Sequence, residues 1–144
     1  MEKDRAYYRA VEQTLTLADF ERGKHSPEHS FFHLERMRLL CAQLGNPQSD
    51  IPSVHIAGTK GKGTTAAMIT AILGSSGYKV GLVTSPHLHS LTERIRLGSE
   101  PISKSDFTNL VNQIWPVVLE TGQNSQYGGV TWFEFMVSAA FHFF

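Results

Sequence analysis

Gly58-Thr59-Lys60-Gly61-Lys62-Gly63-Thr64 sets two ammonium groups among three glycines. Glycines at 58, 61 and 63 let the backbone turn its N–H groups inward without Cβ clashes. A helix starting just beyond adds the positive end of its dipole, so the stretch is suited to hold polyphosphate. Lys62 is the candidate catalytic residue, because its ammonium against the β- and γ-phosphates would neutralise charge that grows as the terminal phosphoryl group leaves. Lys60 reads equally well as a phosphate contact or a solvated loop charge. Thr64 can bond a phosphate oxygen, cap the helix, or both. The strict pattern G-x-x-x-x-G-K-[ST] is not met, since Ile56 stands at its first glycine and Gly63 follows the lysine. Without those positions, the flanking strand and helix have to carry the reading.

Two further positions could do chemistry. Ser85, beside Pro86 and just past an expected strand end, is placed to offer its hydroxyl to a magnesium ion, although in isolation it reads as a turn residue. Glu134 sits among Trp132, Phe133, Phe135 and Met136. A carboxylate there must be paired or capping, because leaving it buried alone costs several kcal/mol (roughly 3–5). Its residue types fit a capping box, or acceptance of hydrogen bonds from an amidine-like edge of a ligand stacked on the neighbouring rings. His87 and His89 alternate on a loop with no third ligand nearby, which favours loop polarity over a metal site.

Strand, loop and helix must position these groups. Val54 to Ala57 is an apolar run ending in glycine, and Ala66, Met68, Ile69, Ile72 and Leu73 recur at helical spacing up to Gly74 and Gly77. Tyr78 to Thr84 reads as a second strand, and strand, helix, strand predicts a parallel pair with a right-handed connection. Ser85 to Arg94 has no clear period and is expected as an exposed functional loop at the rim where open α/β sheets bind ligands. Arg94 to Leu97 alternates like a short edge strand.

Around this centre, 3–22 places Tyr7, Val11, Leu15 and Ala18 on one helical face closed by Gly23. A loop is expected over 24–32. Leu34, Met37, Cys41 and Leu44 line another helix, ended by Gly45-Asn46-Pro47. Ser103 to Asp106 resembles a cap for a helix bearing Phe107, Leu110, Val111, Ile114, Val117 and Val118, which Pro116 should kink or end. Thr131 to Glu134 opens a last, buried helix with a capping box. The fold expected is α/β: a P-loop-type parallel sheet flanked by helices, incomplete within this chain.

The 144 residues, 41% hydrophobic, allow one ordinary domain. Lys+Arg and Asp+Glu both number 13. With no net field, neither nucleic acid nor a membrane surface is expected as a partner, and an anionic ligand must be caught locally. Cys41 is the only cysteine, which excludes an internal disulfide and fits a reducing cytosol. No secretion signal or spanning run is found, so a cytoplasmic location is expected. The chain stops inside an all-round apolar run, and a parallel sheet needs more strands than are counted here, so it is expected to be the N-terminal part of a longer protein.

Gly58 to Thr64, Thr84-Ser85-Pro86-His87-Leu88 and Thr92-Glu93-Arg94-Ile95 together resemble the folylpolyglutamate synthase and dihydrofolate synthase family of Mur-ligase-like ATP-dependent enzymes. Leu34-Glu35-Arg36, Leu44 to Pro47 and Thr131 to Phe135 look like further landmarks in the same order. The resemblance implies ATP phosphate binding at Gly58, Thr59, Lys60, Gly61, Lys62, Gly63 and Thr64, and a Mg²⁺ ligand at Ser85. It implies a pterin site at Thr131, Trp132, Phe133 and Glu134, with Phe133 stacking, closed by the loop His29, Ser30, Phe31 and Phe32. In this family Lys60 is often asparagine, a departure that leaves the backbone role of the loop intact.

The implied reaction joins L-glutamate to dihydropteroate or a folate through an acyl phosphate, with ATP and Mg²⁺, in folate biosynthesis and polyglutamylation. By the same resemblance, residues 1–144 form the N-terminal part of the ATP-binding domain. The C-terminal domain and the remaining magnesium ligands lie outside them, so the chain alone is expected to be inactive, and the full-length protein is expected to be a monomer. A Mur-type peptidoglycan ligase and a non-catalytic nucleotide-binding module are the alternatives.

Overall fold

The computed structural model describes residues 2–19 and 33–144. The loop expected over 24–32, with His29, Ser30, Phe31 and Phe32, lies outside the described residues.

Helix α1 (Glu2–Thr14) buries Tyr7, Ala10 and Thr14. The helix expected to reach residue 22 ends early, leaving Leu15 exposed. Threonine hydroxyls draw on the last helical carbonyls: Thr14 Oγ1 donates to the Val11 carbonyl at 2.8 Å and Thr16 Oγ1 to that of Gln13 at 2.7 Å. Ala18 then pairs with Thr131 as a parallel bridge, its carbonyl accepting from the Trp132 N–H at 2.9 Å. The alternating Thr14-Leu15-Thr16-Leu17 was the available signal for leaving the helix.

Helix α2 (Leu34–Gln43) buries Arg36, Leu40 and Cys41, so its inner face is rotated from the one expected, and Leu34 is 60% exposed. A partly buried partner for Arg36, Glu134, accounts for that rotation. Its end follows expectation: Gly45 and Asn46 both adopt positive φ, the Asn46 N–H reaches the Cys41 carbonyl at 2.7 Å, and Pro47 opens a 3₁₀ turn. Burial pushes the Cys41 thiol pKa up.

Helix α3 (Lys62–Ser75) stops in a Schellman motif, with Gly77 at positive φ, its N–H on the Gly74 carbonyl and the Tyr78 N–H on that of Leu73. Its only buried residue is Thr70, and Met68 and Ile72 are exposed. Of the apolar face foreseen for this helix, Ala66, Ile69 and Leu73 are therefore half-buried, while Met68 and Ile72 have no cover among the described residues.

The sheet consists of β1 (Gly81–Val83), β2 (Ile95–Leu97) and β3 (Glu100–Pro101), all antiparallel and in that order. Val83 faces Ile95, and Leu97 faces both Gly81 and Glu100. The edge strand expected over Arg94 to Leu97 forms as Ile95–Leu97, but the parallel pair expected between 54–57 and 78–84 does not form among the described residues, and only Gly81–Val83 of the latter is strand. A 3₁₀ turn over Leu91–Arg94 returns the chain to β1 through a short closure. Val54 to Ala57 makes no ladder with the described strands, and Val54, His55 and Ala57 are exposed, so water can satisfy their backbone groups. Helices and sheet still pack into one unit, consistent with an incomplete α/β fold.

Helix α4 (Lys104–Asn124) is the centre of the core and packs on α1, α2 and α5. Phe107, Leu110, Val111, Ile114, Val118 and Thr121 line its buried stripe at three- and four-residue steps. Ser103 caps it as expected, accepting from the Asp106 N–H at 3.0 Å. The helix runs on through Pro116, so of the kink or end expected there the end does not occur. Pro116 and Asn112, whose carbonyl loses its usual donor, are both exposed, so water can satisfy that group.

Helix α5 (Trp132–Phe143) buries Trp132, Phe135, Met136, Ser138, Ala139 and Ala140 but leaves Phe133 outside. Following α5, Phe144 lies over β1, and a Cβ at Gly81 would come within 2.6 Å of its ring. Gly81→Ala is therefore expected to destabilise the protein by about 1–3 kcal/mol through overpacking. Urea unfolding checks this, and an unchanged midpoint would show that the Phe144 ring swings away freely.

Candidate functional site

The glycine-rich loop ends in Gly61, whose φ of +74° makes it the left-handed N-cap of α3. Lys62 is the first helical residue, and Gly63 and Thr64 complete the opening turn. Thr64 thus sits inside the helix instead of capping it. No side chain among the described residues caps this end. Gly58, Thr59, Lys60, Gly61, Lys62, Gly63 and Thr64 are all exposed. Helix-start N–H groups left without a side-chain cap, with an ammonium at the first position, form an arrangement that favours an anion.

Beyond β1, Ser85 is exposed and joined to Pro86 by a cis peptide bond. The loop that follows is less open than its polarity suggested, because Leu91, Thr92 and Arg94 are buried. Glu93 organises it. Its carboxylate accepts from the backbone N–H groups of Leu88, His89 and Ser90 at 2.8–2.9 Å, and Ser90 returns the capping box. Those bonds, to Leu88 and Ser90 above all, lower its pKa to about 2. The folded value is depressed, so this anchoring is complete above the unfolded carboxylate range and is lost as pH falls through about 2. An NMR titration should place the Glu93 side-chain midpoint near that value; a midpoint near 4.3, ordinary for glutamate, would show that the three amides do not hold it.

His87 is engaged within the protein, its Nδ1 accepting from Arg94 Nε at 2.9 Å. No group of three or more His, Cys, Asp or Glu able to hold a metal is found among the described residues. Ser85 alone still fits a magnesium ion that takes most of its oxygens from phosphates and water.

The start of α5 is tied down more firmly. Thr131 and Glu134 form both halves of the predicted capping box, with the Thr131 N–H donating to Glu134 Oε2 at 2.8 Å. The same carboxylate receives Arg36 Nε at 2.8 Å and Nη2 at 2.9 Å, a bidentate pair. Arg36 is 2% exposed, and its Nη1 donates to the Tyr127 carbonyl. His33, one residue past the expected loop 29–32, stacks on the Tyr127 ring with centroids 4.5 Å apart. Both oxygens of Glu134 thus have protein partners, which favours a capping and pairing role for it over direct ligand contact.

Trp132 and Phe133 point to opposite environments. Trp132 is 1% exposed, with no hydrogen-bond partner for its indole N–H among the described residues and the Arg94 guanidinium 4.5 Å above its ring. Phe133 is 55% exposed and free to present a flat face. The structure therefore brings Arg36, Tyr127 and Glu134 together at the start of the helix that carries Phe133, and the loop after Ser85 to Trp132 through Arg94. Sequence reasoning gave no role to Arg36 or Arg94. The one signal was that each lies in a quoted motif, Leu34-Glu35-Arg36 and Thr92-Glu93-Arg94-Ile95, which does not reveal a distant partner.

No helix among the described residues is long and apolar enough to cross a membrane. No family model matches the chain. It is 45% identical over 111 residues to the dihydrofolate synthase/folylpolyglutamate synthase of Bacillus subtilis, covering 77% of this chain and 26% of that relative. Its fold superposes on Mycobacterium tuberculosis folylpolyglutamate synthase complexed with ADP, with a TM-score of 0.83 and 30% identity over 97% of this chain and 29% of that one. An FPGS–AMPPCP–folate complex matches with a TM-score of 0.82 and 30% identity, covering 96% of this chain and 32% of the other. The chain spans about a quarter of the length of the curated Bacillus relative. Sequence likeness and superposition agree: the chain belongs to the folylpolyglutamate synthase/dihydrofolate synthase family.

Proposed function

We propose that residues 1–144 supply the ATP-phosphate and pterin half-sites of an ATP-dependent ligase that adds L-glutamate to dihydropteroate or a folate. They form the N-terminal part of its ATP-binding domain, the remaining strands and a C-terminal domain lying outside this chain. The observation that carries the reading is an exposed ring, Phe133, on a helix start fixed by the partly buried Arg36–Glu134 pair, in a chain that also has a lysine-bearing helix N-terminus with no side-chain cap among the described residues. The first is a stacking platform for a flat heterocycle. The second suits a triphosphate. The uncovered apolar groups Val54, Met68 and Ile72 fit a face that further strands would cover.

In this reading the N–H groups of Lys62, Gly63 and Thr64 and the Lys62 ammonium hold the β- and γ-phosphates, with Thr59 and Lys60 along the approach. Ser85 would contribute one oxygen to a magnesium ion, which supplies further neutralisation of phosphate charge when bound. Thr131, Trp132, Phe133 and Glu134 shape the pterin slot, and His29, Ser30, Phe31 and Phe32 close it. A carboxylate oxygen of the pterin substrate attacks the γ-phosphorus, the bond to the β-phosphate oxygen breaks, and ADP leaves. The glutamate amine then attacks the acyl carbon, forming the amide and expelling phosphate. Lys62 stabilises charge in the first step. The 144-residue chain is expected to bind ligands without completing this cycle, and the complete enzyme to act as a cytoplasmic monomer.

The test is ATP-dependent incorporation of labelled L-glutamate into dihydropteroate and tetrahydrofolate, by this chain alone and by residues 1–144 joined to the remainder of the Bacillus subtilis relative. Product from the fusion alone is the expected result. Turnover by the isolated chain would overturn the half-site reading. A uridine-linked sugar peptide binding in place of dihydropteroate would move the chain to cell-wall chemistry.

A further inference from the structure

Consecutive residues Glu93 and Arg94 grip the loop after β1 from two sides. Glu93 fixes the Leu88 to Ser90 backbone, while Arg94 holds His87 by an Nε–H bond of 2.9 Å. Arg94 is 6% exposed, and its guanidinium also lies 4.5 Å from the ring centroid of Trp132, the first residue of α5. One side chain thus joins the loop carrying Ser85 to the turn carrying Phe133. Such a guanidinium offers two separable interactions. Its cation and planar face act on the indole, and its directed N–H groups act on the imidazole. Arginine alone does both, because a lysine ammonium can sit over the ring but has no Nε–H at that place along the stem.

We propose that Arg94 is a positioning residue for both half-sites, setting the magnesium-side loop through His87 and the pterin platform through Trp132 without touching either ligand. This rests on the functional reading above. It predicts a division of effects that general loosening of the fold would not produce. Losing the His87 bond should weaken only the magnesium-dependent part of nucleotide binding, and losing the cation over Trp132 only pterin binding.

The experiment is calorimetric titration of this chain with AMPPCP, with and without Mg²⁺, and separately with dihydropteroate. Arg94→Met is expected to weaken both dihydropteroate and Mg·AMPPCP by about three- to tenfold. Arg94→Lys should restore dihydropteroate affinity but not the magnesium-dependent gain for AMPPCP. His87→Ala should lose that gain alone and leave dihydropteroate binding unchanged. Because His87→Ala spares the buried Arg94–Trp132 stack, it keeps the question open to test should Arg94→Met fail to fold. Equal weakening of both ligands by His87→Ala, or no effect of Arg94→Met, would overturn the proposal. If the unaltered chain bound neither ligand, the half-site reading would fall and this proposal with it, whereas binding of both with no Arg94 dependence would remove the proposal only.

Discussion

Arg36→Ala is expected to cost the fold about 3–5 kcal/mol, because it strands a largely buried carboxylate that now has a bidentate cation. Glu134 is only 12% exposed at its side chain and sits between the Arg36 guanidinium and the Thr131 N–H. Removing the arginine also strips the Tyr127 carbonyl of its donor. For a domain of roughly 5–15 kcal/mol total stability, that is a large share. The pair need not be worth this much in itself, since desolvation offsets most of the attraction. The informative companion is Arg36→Met with Glu134→Gln, which removes both charges and keeps an oxygen for the Thr131 N–H. It should recover most of the loss. Urea denaturation of both variants decides the matter: a loss under about 1 kcal/mol in Arg36→Ala would mean that water reaches Glu134 after all.

Lys62→Ala is expected to weaken Mg·ATP binding by about 10- to 100-fold, the value of a charge-assisted contact to phosphate. Lys62 is exposed and begins α3, so its removal should leave the unfolding midpoint alone. Lys60→Ala, outside the helix, should matter less, within about threefold. Calorimetric titration with Mg·ATP separates the two. Equal affinity in parent and Lys62→Ala would take the triphosphate away from this helix end, and a larger loss in Lys60→Ala would exchange the two roles.

Local chemistry made much of this chain legible. Ser103, Thr131 and Glu134 announced helix starts because a hydroxyl or carboxylate three residues from an N–H closes a cap with no help from elsewhere. Gly45, Asn46 and Gly77 marked helix ends because they tolerate the positive φ that those ends require. The buried stripe of α4 followed from spacing alone. Pro116 does not end the helix, because its cost depends on whether the freed carbonyl meets water, which is a property of the face it occupies.

What the sequence could determine by itself was closed within a few residues: the caps of α4 and α5, the ends of α2 and α3, the stripe of α4, the helix start behind the glycine-rich loop and the family motifs beside it. The tertiary structure decided which way α2 turns, where α1 stops, and that β1 pairs backward with β2 instead of alongside 54–57. It also decided that Glu134 is filled by an arginine 98 residues away and that Trp132 is covered by Arg94. The physical reason is that a buried charge or an open strand edge takes whichever partner the packed chain brings near it. Sequence spacing carries no record of a contact made across such a distance.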